Sequence, residues 1–219
     1  AAQIITADQE FNAADFVADD EGHDSSASAL VTPEALSSLN AFLDNILFNI
    51  LAAAKSTQLV KIRPAVAEVL KPRLAKEMVS AADDELSEYL GGPEDEQLEF
   101  RSGQTSIGEF DLVRSWKLTR LRCMVYTRLG DMEEDDEEEY INQEIIGEDG
   151  GGLRRLASHV GHITPAASIF LTSIIEHMGE QALIIAGEIA RSRLSANLED
   201  EDDLAGTGAN RASMDRLVV

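Results

Sequence analysis

TPAASIFLTSIIEHMGEQALIIAGEIARSR, residues 164–193, is the stretch whose periodicity decides the fold, and TPEALSSLNAFLDNILFNILAAAKST, residues 32–57, is its earlier counterpart. Each opens on Thr-Pro. A threonine at the N-cap accepts a backbone amide that the helix leaves unpaired, and a proline at the first helical position has no amide to leave unpaired. In the earlier segment Leu36, Leu39, Leu43, Ile46 and Ile50 recur at spacings of three and four, and in the later one Ile174, Met178, Ala182, Ile185 and Ile189 do the same. That period predicts two long helices, each with one broad buried stripe. The expected core comprises Leu39, Leu43, Ile46 and Ile50 from one helix and Ile174, Met178, Ile185 and Ile189 from the other. Two such central helices in one chain predict an all-α protein built of two related three-helix units packed on each other.

The sequence around these helices divides the chain. Residues 1–31 read as an extended acidic arm rich in Ala, Asp and Ser, within which EFNAADFV is the one candidate for a short docking helix. A first unit spans 32–92 and ends at Gly91-Gly92-Pro93, a helix stop. Residues 93–107 read as a linker, and 108–198 as a second unit carrying an acidic insertion at 131–152. Residues 199–219 read as an acidic, glycine-containing, flexible segment and the start of a further helix. A helix is expected over Glu109–Leu129; it carries Trp116, the sole tryptophan, together with Arg114, Lys117, Arg120, Arg122 and Arg128. Its apolar residues surround most of the helix, which predicts packing on several sides.

The residues of the first long helix, with the core Asn40-Ala-Phe-Leu-Asp-Asn-Ile46, resemble the central helix of a 2B-type core histone. Ala65-Val-Ala-Glu-Val-Leu70 and Pro72-Arg-Leu-Ala-Lys76 resemble that histone's third and C-terminal helices, in the same order. The second long helix is similar to the central helix of a 2A-type histone over Ile174-Ile-Glu-His-Met178 and Ala186-Gly-Glu-Ile-Ala-Arg191. These segments cover less than half of the chain. The resemblance implies tandem histone-fold-like units, 2B-like then 2A-like, that form an intramolecular pseudo-dimer through a handshake of the two long helices. Departures are plain. Ser56–Arg63 is a shorter and less basic connection than a histone's DNA-binding loop, no short first helix precedes either Thr-Pro, and the sequence given reaches Val219 where a third helix of the second unit would begin.

Charge sets the functional expectation. The net charge of −23 argues against wrapping DNA, because a histone's affinity comes from neutralising phosphate and releasing its counterions. At 219 residues, with 44% apolar content, the chain has the means to bury a substantial core. A single cysteine, Cys123, excludes an intramolecular disulfide and a thiolate zinc cage. No apolar run approaching the length of a bilayer span is expected, and AAQIITADQE lacks the basic leader and apolar core of a signal peptide, so the expected class is soluble and intracellular.

No catalytic, cofactor-binding or metal site is expected. His159 and His162 have a zinc-compatible spacing, but no cysteine is near and Gly161 favours a loop. His177 adjoins the buried stripe and reads as a packed or interface residue. Gly150-Gly-Gly152 lacks the Lys-Ser/Thr of a phosphate loop. The candidate partner site is the run Asp131, Glu133, Glu134, Asp135, Asp136, Glu137, Glu138 and Glu139. It reads as a solvated mobile loop, as a dock for basic protein segments, or as an internal screen for the adjacent Arg-rich helix. A nucleic-acid role for that helix, with Trp116 as a stacking platform, is the weaker alternative.

Together these features predict a non-enzymatic scaffold subunit of a nuclear chromatin or transcription complex, monomeric, binding proteins rather than DNA or membrane. The alternatives are a histone chaperone or mimic acting through its acidic runs, and a regulatory histone-like domain of a cytoplasmic signalling protein. Fold analogy alone does not choose among them.

Overall fold

The computed structural model describes residues 1–8, 30–90, 110–127, 132–133, 135–137, 139–141 and 163–215, with side chains in the last stretch described as far as Leu194 and at Ala196. Among these residues the structure is all-helical, with no strand. Helix α1 covers residues 2–8, α2 is Pro33–Ala54, α3 Leu59–Val69, α4 Pro72–Leu90, α5 Leu112–Tyr126 and α6 Pro165–Asp215. Two expectations are thereby corrected: the arm of residues 1–31 holds a helix at 2–8 rather than being extended there, and the segment 199–219 falls largely within the continuous helix α6 rather than being flexible. Residues 9–29 of the acidic arm, the 93–107 linker, Asp131, Glu134, Glu138, Gly150-Gly-Gly152, His159, His162 and residues 216–219 lie outside the described residues.

The two Thr-Pro signals work as the sequence predicts. Thr32 Oγ1 accepts from the Ala35 amide at 3.2 Å, and Thr164 Oγ1 from the Ala167 amide at 3.3 Å. Caps of this kind stabilise a helix by about 1 kcal/mol each. Helix α2 ends at Lys55, whose φ of 48° is the left-handed conformation that closes helices, while its amide still bonds Leu51 O at 2.8 Å. The connection to the next helix is shorter than Ser56–Arg63: Ser56 Oγ accepts from the Gln58 amide and α3 starts at Leu59. Pro64 therefore sits inside α3 rather than in front of it, on an exposed face. Helix α5 is shorter than Glu109–Leu129 because Asp111 caps it, its carboxylate accepting from the Arg114 amide at 3.0 Å.

By packing, the chain divides into two compact units, residues 37–179 and residues 1–36 with 180–219. The division falls within both long helices, after Leu36 in α2 and after Gly179 in α6. The unit of residues 37–179 holds one apolar core, to which both long helices contribute: Ile46, Leu47, Ile50 and Leu51 from α2, and Ala166, Ala167, Phe170, Leu171, Ile174 and Met178 from α6. Leu59, Ile62, Ala65 and Val66 of α3, Ala75, Met78, Ala82 and Leu86 of α4 and Cys123 of α5 join it, so five helices contribute. Arg63 and Asp83 tie α3 to α4 at 2.8 Å, and the Arg63 guanidinium lies 5.5 Å from the Phe170 ring centre. Gly179 permits a close approach, since a Cβ there would lie 3.3 Å from Leu43 Cδ1.

The unit of residues 1–36 and 180–219 is built along the second half of α6. Helix α1 lies on it where Gly187 leaves room, with Ile5 8% exposed and a Cβ at Gly187 falling 2.7 Å from Ile5 Cγ2.

Two stretches, Pro33–Ala54 and Pro165–Leu194, are long and apolar enough to cross a membrane by length and composition, which corrects the expectation that no run approaches that length. In the folded chain the same helices supply the core residues named above.

Candidate functional site

The apolar stripe of α6 is continuous in sequence but covered over only half its length. Ile174 and Met178 are buried, as are Ile46 and Ile50 on α2; Leu43 packs against the core and Leu39 is half-buried. Past Gly179 the cover ends. Ile185 is 52% and Ile189 47% exposed, so the expectation that both lie in the core is corrected. The helical period explains it. Gly187, against which Ile5 packs, is two residues from each isoleucine and so about 200° away around the axis. Helix α1 therefore covers the face opposite to the one that Ile185 and Ile189 form with Ala182. Helical spacing shows that a face is apolar, and says nothing of what meets it.

The acidic run also departs from expectation. A fully solvated stretch whose carboxylates do not bury their charge is contradicted at Glu137, which is 3% exposed and pairs with Arg122 of α5 at 2.7 Å. Residues 135–137 form a helical turn, with the Glu137 amide bonding Glu133 O at 3.1 Å. The internal screen is thus present at one pair. Glu137 is buried and Arg122 partly so, and removing one partner of such a pair costs about 1–3 kcal/mol. Glu133, Asp135, Asp136 and Glu139 are exposed, so the run has one carboxylate anchored and at least these four in solvent.

Helix α5 spends its polar groups inside the fold. Trp116 Nε1 donates to Asp44 O of α2 at 3.2 Å, Arg120 Nε pairs with the Asp44 carboxylate at 2.6 Å, and the Trp116 and Phe48 rings meet edge to face. The Arg120–Asp44 pair is partly exposed and contributes only about 0–1 kcal/mol, so the aromatic contact and the Trp116 hydrogen bond hold this junction. A tryptophan placed in this way is no free stacking platform. Helix α5 also buries Ser115, Thr119 and Cys123, one turn apart, and Thr172 Oγ1 of α6 donates to Cys123 O at 3.4 Å. Burial raises the Cys123 thiol to about 11, with the Thr172 hydrogen bond opposing the shift and the Glu176 charge adding to it.

No group of three metal-ligating side chains occurs among the described residues. His177 is half-buried, its Nδ1 3.0 Å from Ser173 O one turn back along α6. Which arginine and which carboxylate form the internal screen was not anticipated from sequence, nor was the Ser115–Thr119–Cys123 arrangement. For the second, small residues recurring every fourth position were the available signal.

Comparison with family models, curated proteins and solved structures finds no match.

Proposed function

We propose that this chain is a non-enzymatic, histone-fold scaffold subunit of a nuclear chromatin or transcription assembly, which binds proteins rather than DNA. The observation that carries the proposal is the α6 stripe. It enters a core shared with α2 and then continues, apolar and half-exposed, at Ile185 and Ile189. Exposed apolar stripes on helices are characteristic of sites where another chain packs. The histone-like reading is supported by the order and closeness of α2, α3 and α4, which match the three 2B-like segments, and by the contribution of both long helices to one core. In this reading the two long helices cross antiparallel in a handshake. Carrying both halves in one chain makes their pairing intramolecular, at an effective concentration on the order of millimolar. The charge of −23 supports protein contacts over duplex DNA.

A second reading is favoured by a separate observation. Glu133, Asp135, Asp136 and Glu139 stand exposed on a stretch that Glu137 anchors, which suits capture of basic histone segments by a chaperone. Purification of the tagged chain from nuclear extract at moderate and at high salt separates the two. A scaffold retains the same non-histone subunits in both and in a variant with these four acids replaced by Ser. A chaperone retains histones, and loses them with salt and with the substitutions. Retention of no protein at either salt would remove the scaffold function.

A further inference from the structure

We propose that the exposed side of α3, between Lys61 and Lys71, receives a short segment of a partner protein whose apolar side chains are flanked by Asp or Glu. The proposal rests on the protein-binding reading and names the chemistry of the partner. Residues 55–76 hold six cations and one acid, Glu68, in a chain of 18 Lys and Arg against 41 Asp and Glu. Five of the six, Lys55, Lys61, Lys71, Arg73 and Lys76, are exposed and form no ion pair among the described residues. On α5, by contrast, Arg120 and Arg122 are engaged by Asp44 and Glu137. The local charge is thus reversed on a surface where the fold itself makes no use of it. The same side of α3 is apolar at its centre. Val60 is 53% exposed, and Pro64 and Ala67 are exposed at spacings of four and three, within about 60° of one another around the helix. Lys61 lies in the first turn of α3 and Lys71 just past the last, so cations stand at both ends of this ridge, about 15 Å apart. The complement is a segment with an apolar centre and acids on both sides of it.

A nucleic acid fits this surface less well. Residues 55–76 include no aromatic side chain to stack a base, and Val60, Pro64 and Ala67 interrupt the cations that would follow a phosphate backbone. Attraction to the cations is screened over about 8 Å at physiological salt. A short acidic segment stays within that reach, whereas a duplex runs on past it along a chain of net charge −23.

The test uses the full chain and three designed peptides of about fifteen residues: a Leu-rich centre flanked by Glu, the same centre flanked by Lys, and the Glu flanks around a Ser centre. Binding is read by fluorescence anisotropy at low and moderate salt, beside a duplex and a single-stranded oligonucleotide. The Glu-flanked Leu peptide is expected to bind about tenfold or more tighter than either control, with the gap to the Lys-flanked peptide narrowing as salt rises. Lys61→Glu with Lys71→Glu should weaken it about tenfold without shifting the thermal melt, because both side chains are exposed and unpaired. Glu68→Gln should tighten it, by up to about fivefold. Equal binding of the Glu- and Lys-flanked peptides, or full binding by the lysine variant, overturns the proposal. So does tighter binding of either oligonucleotide, binding that appears only when residues 9–29 are deleted, or self-association that the lysine variant abolishes. A lysine variant that keeps every nuclear partner at moderate salt also overturns it, and leaves the protein-binding reading standing. Retention of no nuclear protein by an unaltered chain that binds the Glu-flanked Leu peptide removes that reading instead.

Discussion

Replacing Ile46 and Ile185 by Asp, one at a time, separates the covered from the uncovered half of the helical stripes. Ile46 is 7% exposed within the core that α2 shares with α6. Truncating a buried isoleucine costs about 2–5 kcal/mol, and an unpaired carboxyl group forced into that site adds roughly 1–3 kcal/mol even after it takes up a proton. The sum is comparable to the whole stability of a typical domain, about 5–15 kcal/mol. Ile185 is 52% exposed and has little burial to lose, so Ile185→Asp should change stability by no more than about 1 kcal/mol. Urea unfolding is followed by Trp116 fluorescence, which reports the unit of residues 37–179, and by far-UV circular dichroism, which reports every helix. Ile46→Asp should lower the urea midpoint by more than about 2 M or leave the chain unfolded in water, while Ile185→Asp stays close to the parent. An Ile46→Asp protein with the parent midpoint would refute the shared core. A loss at Ile185→Asp as large as at Ile46→Asp would mean that the second half of α6 is covered in solution.

Two further outcomes concern the side chains around α5, and a third the charge of the chain. Glu137→Met and Arg122→Met should each destabilise by about 1–3 kcal/mol, and the variant carrying both by less than the sum, as measured by a double-mutant cycle; additive losses would mean the two do not act together. Cys123 should resist thiol reagents until the protein unfolds. Its folded pKa of about 11 lies above the ordinary thiol value of 9.0, so the folded chain keeps a proton that the unfolded chain gives up. That contribution is complete below about pH 9 and is lost as pH rises toward 11, by roughly 2–3 kcal/mol; Cys123→Ala should lack this alkaline decline. Duplex DNA should bind negligibly at physiological salt in a gel-shift assay, and a tight complex with a steep salt slope, mapping to the exposed Lys55, Lys61, Lys71, Arg73 and Lys76, would reverse the functional reading.

The starts of the long helices were legible because a cap is a local device: Thr32 and Thr164 bond amides three residues away, within the same turn. The core positions Ile46, Ile50, Ile174 and Met178 were legible for a related reason, since the period of three and four marks the face that a helix buries. The same period extends to Ile185 and Ile189 without change, and only tertiary packing shows that nothing among the described residues buries them there. Ser115, Thr119 and Cys123 count as polar or nearly so by residue type, yet their small size lets α5 approach its neighbours closely and they are buried. Glu137 was hidden by its own neighbours. A run of acids reads as one solvated segment, and the single carboxylate that reaches Arg122 is distinguished by geometry rather than by sequence.

Amide hydrogen exchange of the chain, free and bound to whatever proteins it retains from nuclear extract, tests the proposed protein binding most directly. Residues 180–194 of α6, whose uncovered face the account assigns to a partner, should exchange measurably in the free chain and gain strong protection when bound, while the 37–179 core is protected in both. Unchanged exchange over 180–194, with new protection confined to the Lys55–Lys61 connection on addition of duplex DNA, would contradict it.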